Sequence, residues 1–275
     1  MNMTEHFPLP SILLVGCGKM GGAMLEGWLK AGLAPSVIID RHLADLPAPH
    51  KVVQSIQDVP ASFTPDVIIV AVKPQKANPV LAELAQRFGQ ATLLSVMAGR
   101  SIASLHDTYV QANPQANPVI IRSMPNTPCA LGAGMSGLYA PPNATAEQKS
   151  YCDALLCAVG ETVWVAEEGL IDSVAAISGS GPAYVFLMAE LLEKAGVEQG
   201  LPADVARKLA RGTLYGAGCM LHTLPTDAEE LRRNVTSPGG TTAEALKVMM
   251  APQAWPATTS AAIAAAVHRA KELAS

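Results

Sequence analysis

Short, continuously apolar runs rich in β-branched residues alternate with longer helical patterns through the first 160 or so residues. The runs are Ile12–Val15, Val37–Asp40, Asp66–Val72, Thr92–Val96 and Pro118–Arg122, and between them fall segments such as MGGAMLEGWLKAG and NPVLAELAQRFG. That alternation predicts parallel strands joined by crossover helices. Runs that are apolar throughout, rather than at every second position, fit strands covered on both faces. Beyond about Glu161 the β-rich runs give way to Ala- and Leu-rich helical segments, broken at Gly196 to Pro202, near Pro225 and at Ser237 to Gly240. The expected fold is α/β: an N-terminal Rossmann-like, doubly wound domain over residues 1–164, followed by an all-α domain over 165–275.

Composition narrows the function. The chain has 275 residues, 49% of them apolar, and a net charge of −4, which is enough to bury one or two cores and too acidic to favour nucleic acid or an anionic membrane. Small molecules are the expected partners. No apolar run reaches the ~18 residues of a membrane span, and the MNMTEHFPLP start lacks a signal-peptide pattern, so the expected location is the cytoplasm. Five cysteines without a CxxC pair and six scattered histidines indicate neither a disulfide framework nor a metal site.

Gly16-Cys17-Gly18-Lys19-Met20-Gly21 matches GxGxxG, and it follows a strand pattern and opens a helical one. In that context the first glycine makes the turn, the second admits a pyrophosphate and the third lets helix and strand pack closely. At the end of the next strand Asp40 and Arg41 point in opposite directions: an acid there bonds the 2′-hydroxyl of NAD, whereas an arginine suits the 2′-phosphate of NADP. Lys73, after the strand through Val72, is either a solvated charge or a cofactor contact.

In the helical half, Ser178 to Tyr184 (SGSGPAY) reads as a loop running into a helix that ends by Gly196. In the following helix Val205, Leu209, Gly212 and Gly216 share a face, which fits either pairing of two chains or packing within one. Asn234 to Leu246, NVTSPGGTTAEAL, reads as an anion-binding helix start, with Thr241 and Glu244 as a capping box and the Thr242 hydroxyl left free. Thr241 and Thr242 bring two hydroxyls to the helix start, and the SPGGTT loop offers no side-chain acid or base. A ketone reductase needs a proton donor, whereas a cyclic imine can arrive protonated, so positioning can supply most of the catalysis.

Taken together, GCGKMG, AVKPQ, RSMPNTP, ISGSGPAY and NVTSPGGTTAEAL resemble the pyrroline-5-carboxylate reductase family over nearly the whole chain. The resemblance implies NAD(P)H-dependent reduction of 1-pyrroline-5-carboxylate to L-proline, and a helical domain that forms a homodimer, which in some members assembles further into rings. It implies a dinucleotide held by Gly16, Cys17, Gly18, Lys19, Met20, Gly21, Ala71, Val72, Lys73, Pro74, Met97, Ala98 and Gly99, with Asn234 near the nicotinamide. Arg41 occupies the family's 2′-phosphate position and favours NADPH, while Asp40 departs from the family pattern and leaves NADH use open. Glu168, Ser237, Gly240, Thr241 and Thr242 correspond to substrate-site positions, Thr242 being the candidate catalytic residue. Three other readings remain, one of them a scaffold role for which the chain offers no disordered arm or charge run. A hydroxyacid dehydrogenase would use a helical lysine such as Lys194 or Lys208, and a dinucleotide sensor would bind the cofactor without turnover.

Overall fold

The computed structural model describes residues 9–274; the N-terminal stretch without a signal-peptide pattern lies outside it except for Leu9 and Pro10. Residues up to Ser180, together with Val267 onward, form one compact unit, and Gly181–Ala266 form a second.

The first unit is built on β1 (Ile12–Val15), α1 (Lys19–Lys30), β2 (Val37–Ile39), β3 (Lys51–Val53), β4 (Val67–Val70), α2 (Ala77–Arg87), β5 (Thr92–Ser95), α3 (Ile102–Ala112), β6 (Val119–Met124), β7 (Gly134–Tyr139), α4 (Ala146–Cys157), β8 (Gly160–Trp164) and α5 (Leu170–Val174). Its strands form one eight-stranded sheet in the order β3-β2-β1-β4-β5-β6-β7-β8. All pairs are parallel except β6 with β7. The order reverses between β1 and β4, the switch point at which sheets of this kind open a ligand crevice.

The apolar runs are continuous because each strand feeds two cores. Ile12 and Leu14 pack with Met24, Trp28, Leu155 and Leu156 on one face, while Leu13 and Val15 pack with Leu81, Leu84, Leu105 and Tyr109 on the other. Trp28 is fully buried, and its indole N–H donates to the Leu155 carbonyl at 2.6 Å, so the ring fills the core without leaving its one donor unpaired.

The second unit holds α6 (Gly181–Glu198), α7 (Ala203–Thr223), α8 (Ala228–Asn234), α9 (Thr241–Met249) and the start of α10 (Trp255–Ala274). The SGSGPAY segment corrects its loop assignment. Ala175–Gly179 is a π turn in which the Ser180 N–H donates to the Ala175 carbonyl at 2.8 Å, and it joins α5 to α6. Within the resulting helical run from Leu170 to Glu198 an 18-residue stretch has a mean hydropathy of 1.3, so by length and composition alone it reaches what a membrane span needs. No such stretch of it is apolar throughout, and its length arises because Gly181-Pro182 continues the helix where the sequence reading has it open one. Likewise α6 passes Gly196 and stops at Glu198, with Gly200 at φ 91° taking the turn.

Candidate functional site

Strand register brings the candidate cofactor residues to one edge of the sheet. Val15 lies opposite both Ile39 and Val70, so Gly16, Asp40 and Ala71 follow side by side. The Gly16 N–H donates to the Ile39 carbonyl and the Ala71 N–H to the Val15 carbonyl, which extends the ladder by one step into the crevice. A cavity of about 760 Å³ opens there, lined by Gly16, Asp40, Arg41, His42, Val72 and Lys76 among others.

Each glycine of the loop has its own cause. Gly16 sits at φ 92°, and a Cβ on it would come 2.9 Å from Val72 Cγ1. A Cβ on Gly21 would fall 2.3 Å from the Gly16 carbonyl oxygen, so the helix could not approach the strand. A Cβ on Gly18 would meet no protein atom within 4 Å. Its bareness is not needed for folding, which fits a backbone kept open for a phosphate. Gly18 is also the N-cap of α1 and no side chain caps it, so Lys19, Met20 and Gly21 begin a helix whose free N–H groups and dipole suit an anion. These features fit a dinucleotide.

Asp40 is half-buried and committed to backbone. Its Oδ2 accepts from the Cys17 N–H at 2.9 Å, and its Oδ1 accepts from the N–H groups of His42 at 2.8 Å and Leu43 at 3.1 Å. Burial pushes its pKa up, but the three N–H donors outweigh burial and hold the carboxyl below its usual range. The Cys17 thiol is raised instead, by burial and by the Asp40 charge, and stays protonated at neutral pH. Arg41 is exposed at the cavity rim.

Lys73, Pro74 and Gln75 follow Val72 at the carboxyl end of β4, with Lys73 exposed. After β5, Met97 is buried while Ala98 is exposed. Gly99 turns at φ 72°, where a Cβ would lie 2.7 Å from the Leu273 carbonyl oxygen.

Glu168 occupies an arrangement that sequence reasoning missed. Its Oε1 accepts from Arg122 Nη1 at 2.8 Å and from the Ile102 N–H at the start of α3 at 2.7 Å. Arg122 is 4% exposed, and its Nη2 has no hydrogen-bond partner. Asn126, four residues on, is buried; it donates to the Ser178 carbonyl at 3.0 Å and accepts from the Met135 N–H at 2.9 Å. The RSMPNTP motif thus supplies two buried polar braces. The available signal was an Arg and an Asn inside an otherwise apolar strand and its exit, positions where such side chains need partners.

In the second unit Asn234 is the last residue of α8, and Ser237 to Gly240 turn into α9. The capping box does not form. Gly240 is the N-cap, Thr241 and Thr242 are the first two helical residues, and Glu244 stands one position too late, near Lys247. The physical reason lies in Gly240, whose extended backbone (φ −81°, ψ 169°) starts the helix one residue earlier than the hydroxyl-based reading placed it. No side chain caps α9, so its first-turn N–H groups remain without an intrahelical partner. Thr242 is half-buried beside them.

In α7, Ala206 and Ala210 are buried, and Ala206 Cβ lies 3.1 Å from where a Cβ on Gly196 of α6 would stand. The Val205, Leu209, Gly212 and Gly216 face does not pack within the chain: Leu209 is 53% exposed, and Cβ atoms on Gly212 and Gly216 would meet nothing within 4 Å.

A doubly wound sheet with an open glycine loop at its switch point defines a dinucleotide-binding oxidoreductase of the Rossmann type. Residues 11–99 match a family model described as NADP oxidoreductase, coenzyme F420-dependent, and residues 168–273 match one described as pyrroline-5-carboxylate reductase dimerisation. The pyrroline-5-carboxylate reductase of Haemophilus influenzae is 37% identical over 268 residues, covering 95% of this chain and 97% of that protein. The one from Pseudomonas aeruginosa is 37% identical over 276 residues, covering 96% and 97%. Among solved structures, a pyrroline-5-carboxylate reductase from Coxiella burnetii aligns with a TM-score of 0.87 at 32% identity, covering 96% of this chain and 98% of that one. The Plasmodium falciparum pyrroline carboxylate reductase with NADP bound aligns at 0.78 and 28% identity, covering 96% and 100%. The chain belongs to the pyrroline-5-carboxylate reductase family.

Proposed function

We propose how the residues of this chain divide the work of its reaction, the NAD(P)H-dependent reduction of 1-pyrroline-5-carboxylate to L-proline, the last step of proline biosynthesis. The carrying observation is the uncapped start of α9, with backbone donors and two threonine hydroxyls and no side-chain acid or base in the loop. The first-turn N–H groups of Thr241 and Thr242 hold the substrate carboxylate, which the helix dipole favours, while the Gly240 N–H, already donated to the Ser237 carbonyl at 3.0 Å, shapes the turn beside it. The Thr242 hydroxyl hydrogen-bonds the ring nitrogen and orients C5, and Ser237 borders the same turn. An alcohol is a poor acid near neutrality, so Thr242 positions an imine that arrives protonated rather than protonating it. Glu168, fixed by Arg122 and Ile102, is a substrate-binding carboxylate.

Reduced nicotinamide supplies the hydride. The residues for it are the Gly16 to Gly21 loop (with Cys17, Gly18, Lys19 and Met20), Arg41, Ala71 to Pro74 (with Val72 and Lys73), Met97 to Gly99 (with Ala98) and Asn234. Arg41 at the rim of the adenosine cavity supports NADPH, with NADH as the alternative. The chain carries the family's dimerisation domain, and we assign it a homodimer, open to further assembly into rings, in the cytoplasm.

Cofactor oxidation followed at 340 nm, a general absorption of reduced nicotinamide, tests the scheme with 1-pyrroline-5-carboxylate and NADPH or NADH. Thr242→Val is expected to lower kcat/KM by roughly tenfold to a thousandfold with folding intact. An unchanged kcat/KM would remove Thr242 from the site.

A further inference from the structure

The carboxylate of Asp40 has little capacity left for a ligand. An ionised carboxylate offers about four acceptor positions, and three are filled by backbone N–H groups at 2.8 to 3.1 Å. Both positions on Oδ1 go to the turn after β2, through His42 and Leu43, while Oδ2 receives Cys17 from the middle of the glycine loop. The two segments meet nowhere else through a side chain that bonds both of their backbones among the described residues. An acid at this position that selects NADH needs its oxygens turned to the ribose hydroxyls; here they are turned to the protein.

We propose that Asp40 is a positioning residue of the cofactor crevice: it ties the glycine loop to the turn that carries Arg41, and it does not accept a hydrogen bond from the ribose 2′-hydroxyl. The apparent conflict between Asp40 and Arg41 then disappears, because only Arg41 addresses the 2′-position. The inference rests on the assignment of this crevice to the adenosine end of NAD(P)H.

The test is fluorescence titration of the full-length chain with NADPH, NADH and 2′-deoxy-NADH, whose adenosine ribose lacks the 2′-hydroxyl, for wild type and Asp40→Asn. Wild type is expected to bind NADH and its 2′-deoxy analogue within about threefold of each other. Asp40→Asn, which retains one acceptor oxygen, is expected to weaken NADH and 2′-deoxy-NADH together by about tenfold, the effect of one charge-assisted hydrogen bond. Cofactor KM should rise while kcat at saturating cofactor stays within twofold, a split that general loss of stability would not produce. A wild-type preference of tenfold or more for NADH over the analogue, collapsing in Asp40→Asn, would overturn the proposal, and so would unchanged affinities in the variant. If the variant fails to fold, the wild-type comparison decides alone, with parity supporting the proposal and a tenfold preference overturning it. Failure of all three nucleotides to bind wild type would reject the crevice assignment and this inference with it. Binding without turnover of 1-pyrroline-5-carboxylate would count against the catalytic scheme and leave the role of Asp40 standing.

Discussion

Two carboxylates in the first unit, Asp40 and Glu168, are held by the protein before any ligand arrives, and the energetics of each can be separated. Glu168 pairs with Arg122, whose side chain is 5% exposed against 27% for the glutamate. Removing the glutamate strands a buried guanidinium whose Nη2 already lacks a partner, whereas removing the arginine leaves Glu168 with the Ile102 N–H and partial access to water. Breaking a buried pair costs about 3–5 kcal/mol when the remaining charge is uncompensated. Glu168→Ala should therefore destabilise by about 3 kcal/mol or more, and Arg122→Met, which fills the space with an apolar chain, by clearly less. Urea unfolding at one protein concentration measures both, and a larger loss for Arg122→Met would contradict the account. For Asp40 the sign follows from its depressed pKa in the folded state. A group of this kind contributes stability that is fully present above the ordinary aspartate range and is lost as pH falls through the lower folded value. The stability gap between wild type and Asp40→Asn should thus be constant above the ordinary aspartate range and close as pH falls below it. A gap that widened on acidification would mean that the three N–H donors do not hold the charged form.

At the scale of elements, what sequence conveys depends on whether an element announces itself by its own composition. The central strands β1, β4 and β5 were legible because burial on both faces makes them uniformly apolar, and the glycine loop because its context and spacing are chemical. β7 and β8, by contrast, were not separated out. β7 reads GMSGLY, with two glycines and a serine, and its place in the sheet comes from contacts that only the fold supplies. A Cβ on Gly134 would lie 2.3 Å from Cys129 Sγ and 2.8 Å from the Val159 carbonyl oxygen, and one on Gly160 would lie 2.1 Å from the Gly134 carbonyl oxygen. Close backbone approach, not side-chain packing, admits the strand, and hydrophobic patterning cannot register it. The start of α9 failed for a related reason, since a glycine in extended geometry took the cap that a threonine usually takes. Glycines with different causes should fail differently. Gly134→Ala is expected to cost about 1–3 kcal/mol or more through overpacking. Gly18→Ala, with nothing within 4 Å and ordinary negative φ, should leave stability within about 0.5 kcal/mol and weaken NADPH binding. Thermal unfolding beside nucleotide titration separates the two, and a Gly18→Ala variant that unfolds early but binds normally would refute the distinction.

For the molecule as a whole, the second unit poses a problem that one chain does not solve. Of residues 181–266 only Ala206 and Ala210 are buried, and α6 buries none of its residues. Phe186 is 66% exposed, Leu191 53%, Leu209 53%, Tyr215 77% and Leu221 56%. Single exposed apolar residues are ordinary, but a helical unit with two buried alanines has almost no core to offset the conformational entropy of ordering its chain. In the proposed homodimer a second copy would bring the missing apolar contacts through the same residues in a self-complementary arrangement, each substitution then acting twice. Folding of this unit should therefore be coupled to association, as in dimers without a stable folded monomer. A charge placed in the patch, Leu209→Asp with Tyr215→Asp, is expected to convert the proposed dimer to monomer in size-exclusion chromatography with light scattering and to reduce helical circular dichroism. The sheet and its glycine loop have their own two cores, so the monomer should still bind NADPH while losing reductase activity, because α9 and Thr242 belong to the unit that has lost its support. Wild-type thermal stability should rise with protein concentration and that of the variant should not. A variant that stayed monomeric with full helicity would show that the unit carries its own stability and that the exposed residues are there for something else.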